Sequence, residues 1–156
     1  MILKHSSPIV SLTTRILRPS LQLFALYVLL HGHESPGGGF QAGTILAGEI
    51  ILEAVAFGNN TQRYQRIRRM LFPIASIGIL IYAGTGLFGL FGSGYLDYGA
   101  LPLAFMETAQ RHWLGILIVE AGVCLVVLSS LVAIFDRLVS PMTEEKTESR
   151  SSELGA

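Results

Sequence analysis

The stretch His31-Gly-His-Glu-Ser-Pro-Gly-Gly-Gly-Phe40 separates two apolar segments, Leu21 to Leu30 and Phe40 to Phe57. Pro36 has no backbone N–H to give, and Gly37, Gly38 and Gly39 reach backbone angles that other residues avoid. A continuous helix therefore cannot pass. A sharp reversal or break is written here, close to a membrane boundary, and the three glycines predict a tight turn that needs positive φ.

Composition says what surrounds that break. The chain has 156 residues, 51% hydrophobic and 14% charged, with a mean hydropathy of +0.54. An ordinary soluble domain carries about 25% charged residues. The deficit gathers in four stretches, the pattern of an all-α integral membrane protein with about four transmembrane helices. Formal net charge is zero, so no global field points to nucleic acid or to an acidic substrate. The single cysteine, Cys124, lies in an apolar run and has no intrachain partner; it reads as a small buried side chain. Lys4 and the following apolar residues lack a small-residue cleavage pattern, which predicts a retained first span rather than a signal peptide.

Span 1 is the least clean. Leu21 to Leu30 is too short for a bilayer, and extension back to Pro8 takes in Arg15, Arg18 and Gln22. The two arginines are three apart and can share a face, snorkelling to the surface. Pro19 predicts a kink or a new helix start. Span 2 is expected from Phe40 to Phe57, about 27 Å long. Span 3 is expected from Leu71 to Phe91, with Pro73 in its first turn, and span 4 from Trp113 to Phe135. Arg63, Arg66, Arg68 and Arg69 fill the expected loop between spans 2 and 3, and Arg137 follows span 4. With Lys4, Arg15 and Arg18, these basic residues predict cytoplasmic N- and C-termini. Tyr95, Tyr98, His112 and Trp113 fall where interfacial anchors belong. Residues 1–140 read as the transmembrane domain, and 141–156, rich in Glu, Ser and Thr, as a disordered cytoplasmic tail.

Three acids sit inside the apolar stretches. Glu49 and Glu53 are four apart in span 2, on one helical face and with Glu49 near the bilayer midplane; Glu120 lies in span 4. Each ionisable residue at membrane depth costs about 2.5–3.5 kcal/mol. The acids either line a proton or cation route, or pair with polar groups of a neighbouring protein and fix assembly; Glu53 has the further option of reaching headgroups near Arg63. Gly43, Ala47, Ala54 and Gly58 form a small-residue stripe on a separate face of span 2, suited to close helix packing. So many packing devices in so few spans suggest one component of a larger assembly.

His31, His33 and Glu34 are too loosely spaced for a metal site and have no further ligands nearby. They read as polar termination of span 1, where histidine can serve the last carbonyls. The triple glycine is not a phosphate loop, because no Gly-Lys-Ser/Thr follows. The Arg63–Arg69 cluster reads as a topology signal and headgroup contact, or as an interface with another protein of the assembly. Ser129 and Ser130 are expected to bond their own helix backbone. No nucleophile, base and orienting acid assemble from the sequence, so no catalytic site, cofactor or resident metal is expected. The candidate ion-route or buried polar residues are Glu49, Glu53, Glu120 and His33.

The segment from His31 to Gly43, HGHESPGGGFQAG, resembles the hallmark of the MnhB/MrpB-type component of Mrp/Mnh multisubunit cation/proton antiporters. Gly32, His33, Pro36, Gly37, Gly38, Gly39, Phe40 and Gly43 carry the match. Glu120-Ala-Gly-Val123 is similar to an acidic-x-Gly-Val pattern in that family's last helix. The resemblance covers nearly the whole chain. It implies a small subunit, multi-pass in a prokaryotic plasma membrane, in an assembly that exchanges Na⁺ or another monovalent cation for H⁺. Its partners would be the other antiporter subunits and the lipid bilayer, with no nucleic acid. Related domains occur in membrane-bound hydrogenases and complex I-like assemblies, so the equivalent subunit of such a complex, or a purely structural assembly subunit, is the alternative. Glu49 and Glu53 depart from the family pattern, in which this helix is mostly apolar.

Overall fold

The computed structural model describes residues 7–32, 37–58, 61–90, 94 and 108–154, with the backbone alone at 108, 109, 111 and 140–154. Among the described residues four helices follow in chain order: α1 Pro8–Leu30, α2 Gly38–Phe57, α3 Gln62–Leu90 and α4 Thr108–Leu154. No strand occurs among the described residues. The all-helical class is as the sequence indicated.

Local chemistry sets the helix boundaries. Pro8 opens α1, where a missing N–H is harmless. Pro19 lies inside α1, so no new helix begins there. At the far end the His31 N–H donates to the Tyr27 carbonyl at 3.1 Å. His31 Nδ1 lies 3.0 Å from that same oxygen, and the ring stacks on Tyr27 at 4.2 Å. Histidine thus serves a terminal carbonyl, as its position suggested. α2 lies between two glycines of positive φ, Gly37 at 93° and Gly58 at 89°. Gly38 and Gly39 are already helical. The expectation of positive φ across the whole triplet is therefore corrected: one glycine makes the turn, and the other two are needed for a different reason, given below.

The basic segment after α2 is helix rather than loop. Tyr64 and Leu71 are buried and Ile67 packs beside them, an apolar stripe at helical spacing that carries the arginines on its other faces. α3 consequently starts at Gln62, not Leu71, and Pro73 stands in its interior instead of its first turn. α4 likewise continues to Leu154, through the stretch expected to be a disordered tail. Glu144, Glu145, Lys146 and Glu148 are good helix formers, and local propensity sustains the backbone there without any apolar stripe.

α1 packs on α2, α2 on α4 and α4 on α3, while α2 scarcely touches α3. The core is small: Ala47, Ile50 and Ala54 of α2, Tyr64 and Leu71 of α3, and Val132 of α4. Large apolar side chains point outward instead, among them Ile9 (75% exposed), Phe72 (83%) and Leu80 (70%). Such a surface is unstable in water and natural in lipid or against other proteins. α2, α3 and the His112–Val139 part of α4 are long and apolar enough to cross a membrane. α1 has the length, but Arg15, Arg18 and Gln22 dilute its apolar character.

Candidate functional site

Two of the three acids meet two arginines. Glu49 is 2% exposed and Glu53 5%. Arg18, from α1, donates through Nε to Glu49 Oε1 at 2.9 Å and places Nη2 3.5 Å from Glu53 Oε2. Arg63, near the start of α3, donates through Nη1 to Glu49 Oε1 at 3.2 Å and also to Glu53 Oε2. The quartet is electrically neutral. Carboxylates that lipid would reject are compensated inside the chain, an arrangement beyond the alternatives drawn from the sequence, which were an ion route, a neighbouring protein or, for Glu53, the headgroups.

Three local features build this quartet. Glu49 and Glu53 lie one turn apart on α2 and face α1 together. Gly58, at positive φ, turns the chain after α2. The Thr61 hydroxyl donates to the Gly58 carbonyl at 2.9 Å, which fixes the short connection and brings Arg63 back over the acidic face. Arg18 does not snorkel away from the bundle as expected. Its neighbour Arg15 is exposed. The arginines remain 26% and 37% exposed, so the network runs from a buried carboxylate pair outward to the surface.

Glu120 belongs to a second arrangement, made of glycines. A Cβ placed on Gly32 would lie 1.7 Å from Glu120 Oε2, and one on Gly38 would lie 3.0 Å from the same atom. A Cβ on Gly39 would lie 2.2 Å from the Glu120 carbonyl oxygen, and one on Gly43 2.7 Å from that of Cys124. Gly39 and Gly43 are thus one helical turn apart on α2 and meet residues one turn apart on α4. Missing side chains let the two backbones touch. This close approach is what Gly38 and Gly39 supply. α3 joins α4 by the same device: Cβ atoms on Gly78 and Gly122 would lie 2.7 and 2.9 Å from each other's carbonyl oxygens. Gly43, Ala47 and Ala54 of the small-residue stripe read from α2 therefore face α4, on a different side from the acids turned to α1, while Gly58 belongs to the turn that ends the helix. The carboxyl of Glu120 is held where α1 ends and α2 begins. It is removed from Glu49 by ten residues of α2, about 15 Å.

A third cluster closes the other end of α3 and α4. Arg68 Nε lies 2.8 Å from Asp136 Oδ2, and the Tyr64 hydroxyl donates to Asp136 Oδ1 at 3.4 Å. Tyr64 also meets Phe135 edge-on at 6.5 Å. Asp136 did not stand out in the sequence. Its signal was an acid directly after the apolar run of α4, with Tyr64 and Arg68 one turn apart to receive it. Ser129 behaves as expected, donating to the Leu125 carbonyl at 2.7 Å. His33 and Pro36 lie outside the described residues, as do Tyr95 and Tyr98; Phe40 is 58% exposed. Among the described residues no three His, Cys, Asp or Glu side chains gather in a way that would hold a metal ion.

Apolar helices joined through glycine seams, with acids enclosed between them, define a multi-pass helical membrane protein. Its particular kind is fixed by comparison. The model of a domain related to the MnhB subunit of Na⁺/H⁺ antiporters matches residues 9–133, and the chain belongs to that family. The B-type subunit of an Na⁺/H⁺ antiporter from Bacillus subtilis is 28% identical over 82% of this chain and 94% of its own length. The corresponding protein from Alkalihalophilus pseudofirmus is 26% identical over 83% of this chain and 94% of its own. A protein from Rhizobium meliloti, the probable A/B component of a K⁺/H⁺ antiporter, is 29% identical over 72% of this chain and 12% of its own.

Proposed function

We propose that this chain is a small membrane subunit of a multisubunit Na⁺/H⁺, or other monovalent cation/proton, antiporter in a prokaryotic plasma membrane. It acts with partner proteins and has no catalytic site of its own. The observation that carries the reading is the glycine seam. Four residues of the family hallmark meet α4: Gly32 and Gly38 lie against the Glu120 carboxyl, Gly39 against the Glu120 backbone and Gly43 against that of Cys124. The relatives' names support the same assembly. The Rhizobium relative, much longer than this chain and named A/B, supports a place beside an A-type component.

Within that role the acids divide. A cation reaching Glu49 or Glu53 must displace a guanidinium, so these two are assigned to holding α1, α2 and the start of α3 together. Glu120, placed at the meeting of three helices by glycine backbone, is assigned to the cation or proton route. Gentle solubilisation of membranes and identification of the polypeptides that accompany the tagged chain test the assembly. Large antiporter-type polypeptides are expected. Nickel–iron or iron–sulfur proteins would favour the hydrogenase-type alternative, and a chain recovered alone would remove the reading.

A further inference from the structure

α3 and α4 enclose an open groove of about 390 Å³, lined by Arg68, Leu71, Phe72 and Ala75 on one side and by Ser129, Ser130, Ala133, Asp136 and Arg137 on the other. Its two ends differ. At the basic end Arg68 spends one N–H on Asp136, leaving most of its five guanidinium donors for another acceptor. Arg137 is exposed there and has no ion-pair partner among the described residues. Asp136 cancels one positive charge, so the end carries a net excess of one. Away from it the walls become apolar and low: small side chains at Ala75, Ser130 and Ala133 leave a channel between the helices. Phe72, 83% exposed, stands at its edge.

We propose that this groove is a binding site for an anionic membrane phospholipid. The headgroup phosphate rests on Arg137 and the free donors of Arg68. One acyl chain lies along Leu71, Phe72 and Ala75 against Ala133 and Ser130. Charge complementarity selects the phosphate, and a basic pocket between membrane helices at the positive side is suited to such headgroups. The apolar continuation selects a lipid over a free anion. The site lies apart from both the Glu49–Arg18 network and the glycine seam, and it stands whether or not the chain carries ions.

The test places a photoreactive side chain at the edge of the groove, Phe72→p-benzoylphenylalanine, in the full chain in its native membrane complex. After irradiation the chain is analysed by mass spectrometry for its adduct. The expected adduct is an anionic phospholipid, enriched about fivefold over its share of the membrane lipid. Arg137→Gln should return that share to the bulk value, and Arg137→Lys should largely retain the enrichment. Inorganic phosphate in excess should leave the adduct unchanged. A polypeptide adduct would make the groove a protein contact and overturn the proposal. Lipid adducts in bulk proportion and indifferent to Arg137→Gln, or no adduct at all, would overturn it too, as would displacement by inorganic phosphate alone.

Discussion

Replacing Glu49 by glutamine keeps the shape of the side chain and removes its charge. In the folded chain Glu49 Oε1 accepts from Arg18 at 2.9 Å and from Arg63 at 3.2 Å. Hydrogen bonds to charged groups contribute about 1.5–3 kcal/mol each. Both arginines are partly exposed and keep Glu53, so the lower end applies, and the amide oxygen retains a weaker bond. A loss of about 2 kcal/mol follows, which is about a 30-fold change in an equilibrium constant. The chain should dissociate from its purified complex, or unfold within it, at a lower temperature than the parent. The sharper reading is a double-mutant cycle of Arg18→Gln and Glu49→Gln. If the two groups compensate one another, the double variant should be less damaged than the sum of the singles, by about 1–2 kcal/mol. Additive losses within about 0.5 kcal/mol would show that the pair does not couple.

Gly39→Ala places a methyl 2.2 Å from the Glu120 carbonyl oxygen, so α2 and α4 must part by about 1 Å; overpacking of this kind costs about 1–3 kcal/mol and should lower the amount of assembled complex on native gels. Gly37→Ala meets no neighbouring atom but must hold φ at 93°. Its loss should be smaller, about 1 kcal/mol, visible as a modest drop in thermal stability with assembly preserved. Asp136→Asn should leave Arg68 without its anionic partner. Because Arg68 is 46% exposed, the cost is that of a partly solvated pair, at most about 1 kcal/mol, read in the same melting experiment.

The glycine-rich break, the apolar helices and the packing face of α2 were legible because each depends on residues close in sequence. Helical period, missing side chains and a proline act locally. The partners of Glu49 were not legible. Arg18 is 31 positions away, and two arginines on the edge of an apolar stretch are equally consistent with snorkelling; only the packing of α1 on α2 decides. The helical start of α3 was hidden by its charge. Four arginines suggested a loop, although Tyr64, Ile67 and Leu71 already marked a helical stripe. Gly38 and Gly39 were recognised as special for the wrong physical cause. A turn and a close helix contact both demand glycine, and the sequence alone does not say which.

The division of labour among the acids is tested most directly by cation-driven proton movement in inverted membrane vesicles, divided by the amount of assembled complex. The account predicts that Glu120→Gln leaves assembly intact and lowers flux per complex at least about tenfold, a transition-state loss of about 1.4 kcal/mol. It predicts that Glu49→Gln lowers the amount of complex and leaves flux per complex near the parent value. Unchanged flux per complex with Glu120→Gln, or a collapse of flux in fully assembled Glu49→Gln, would contradict it.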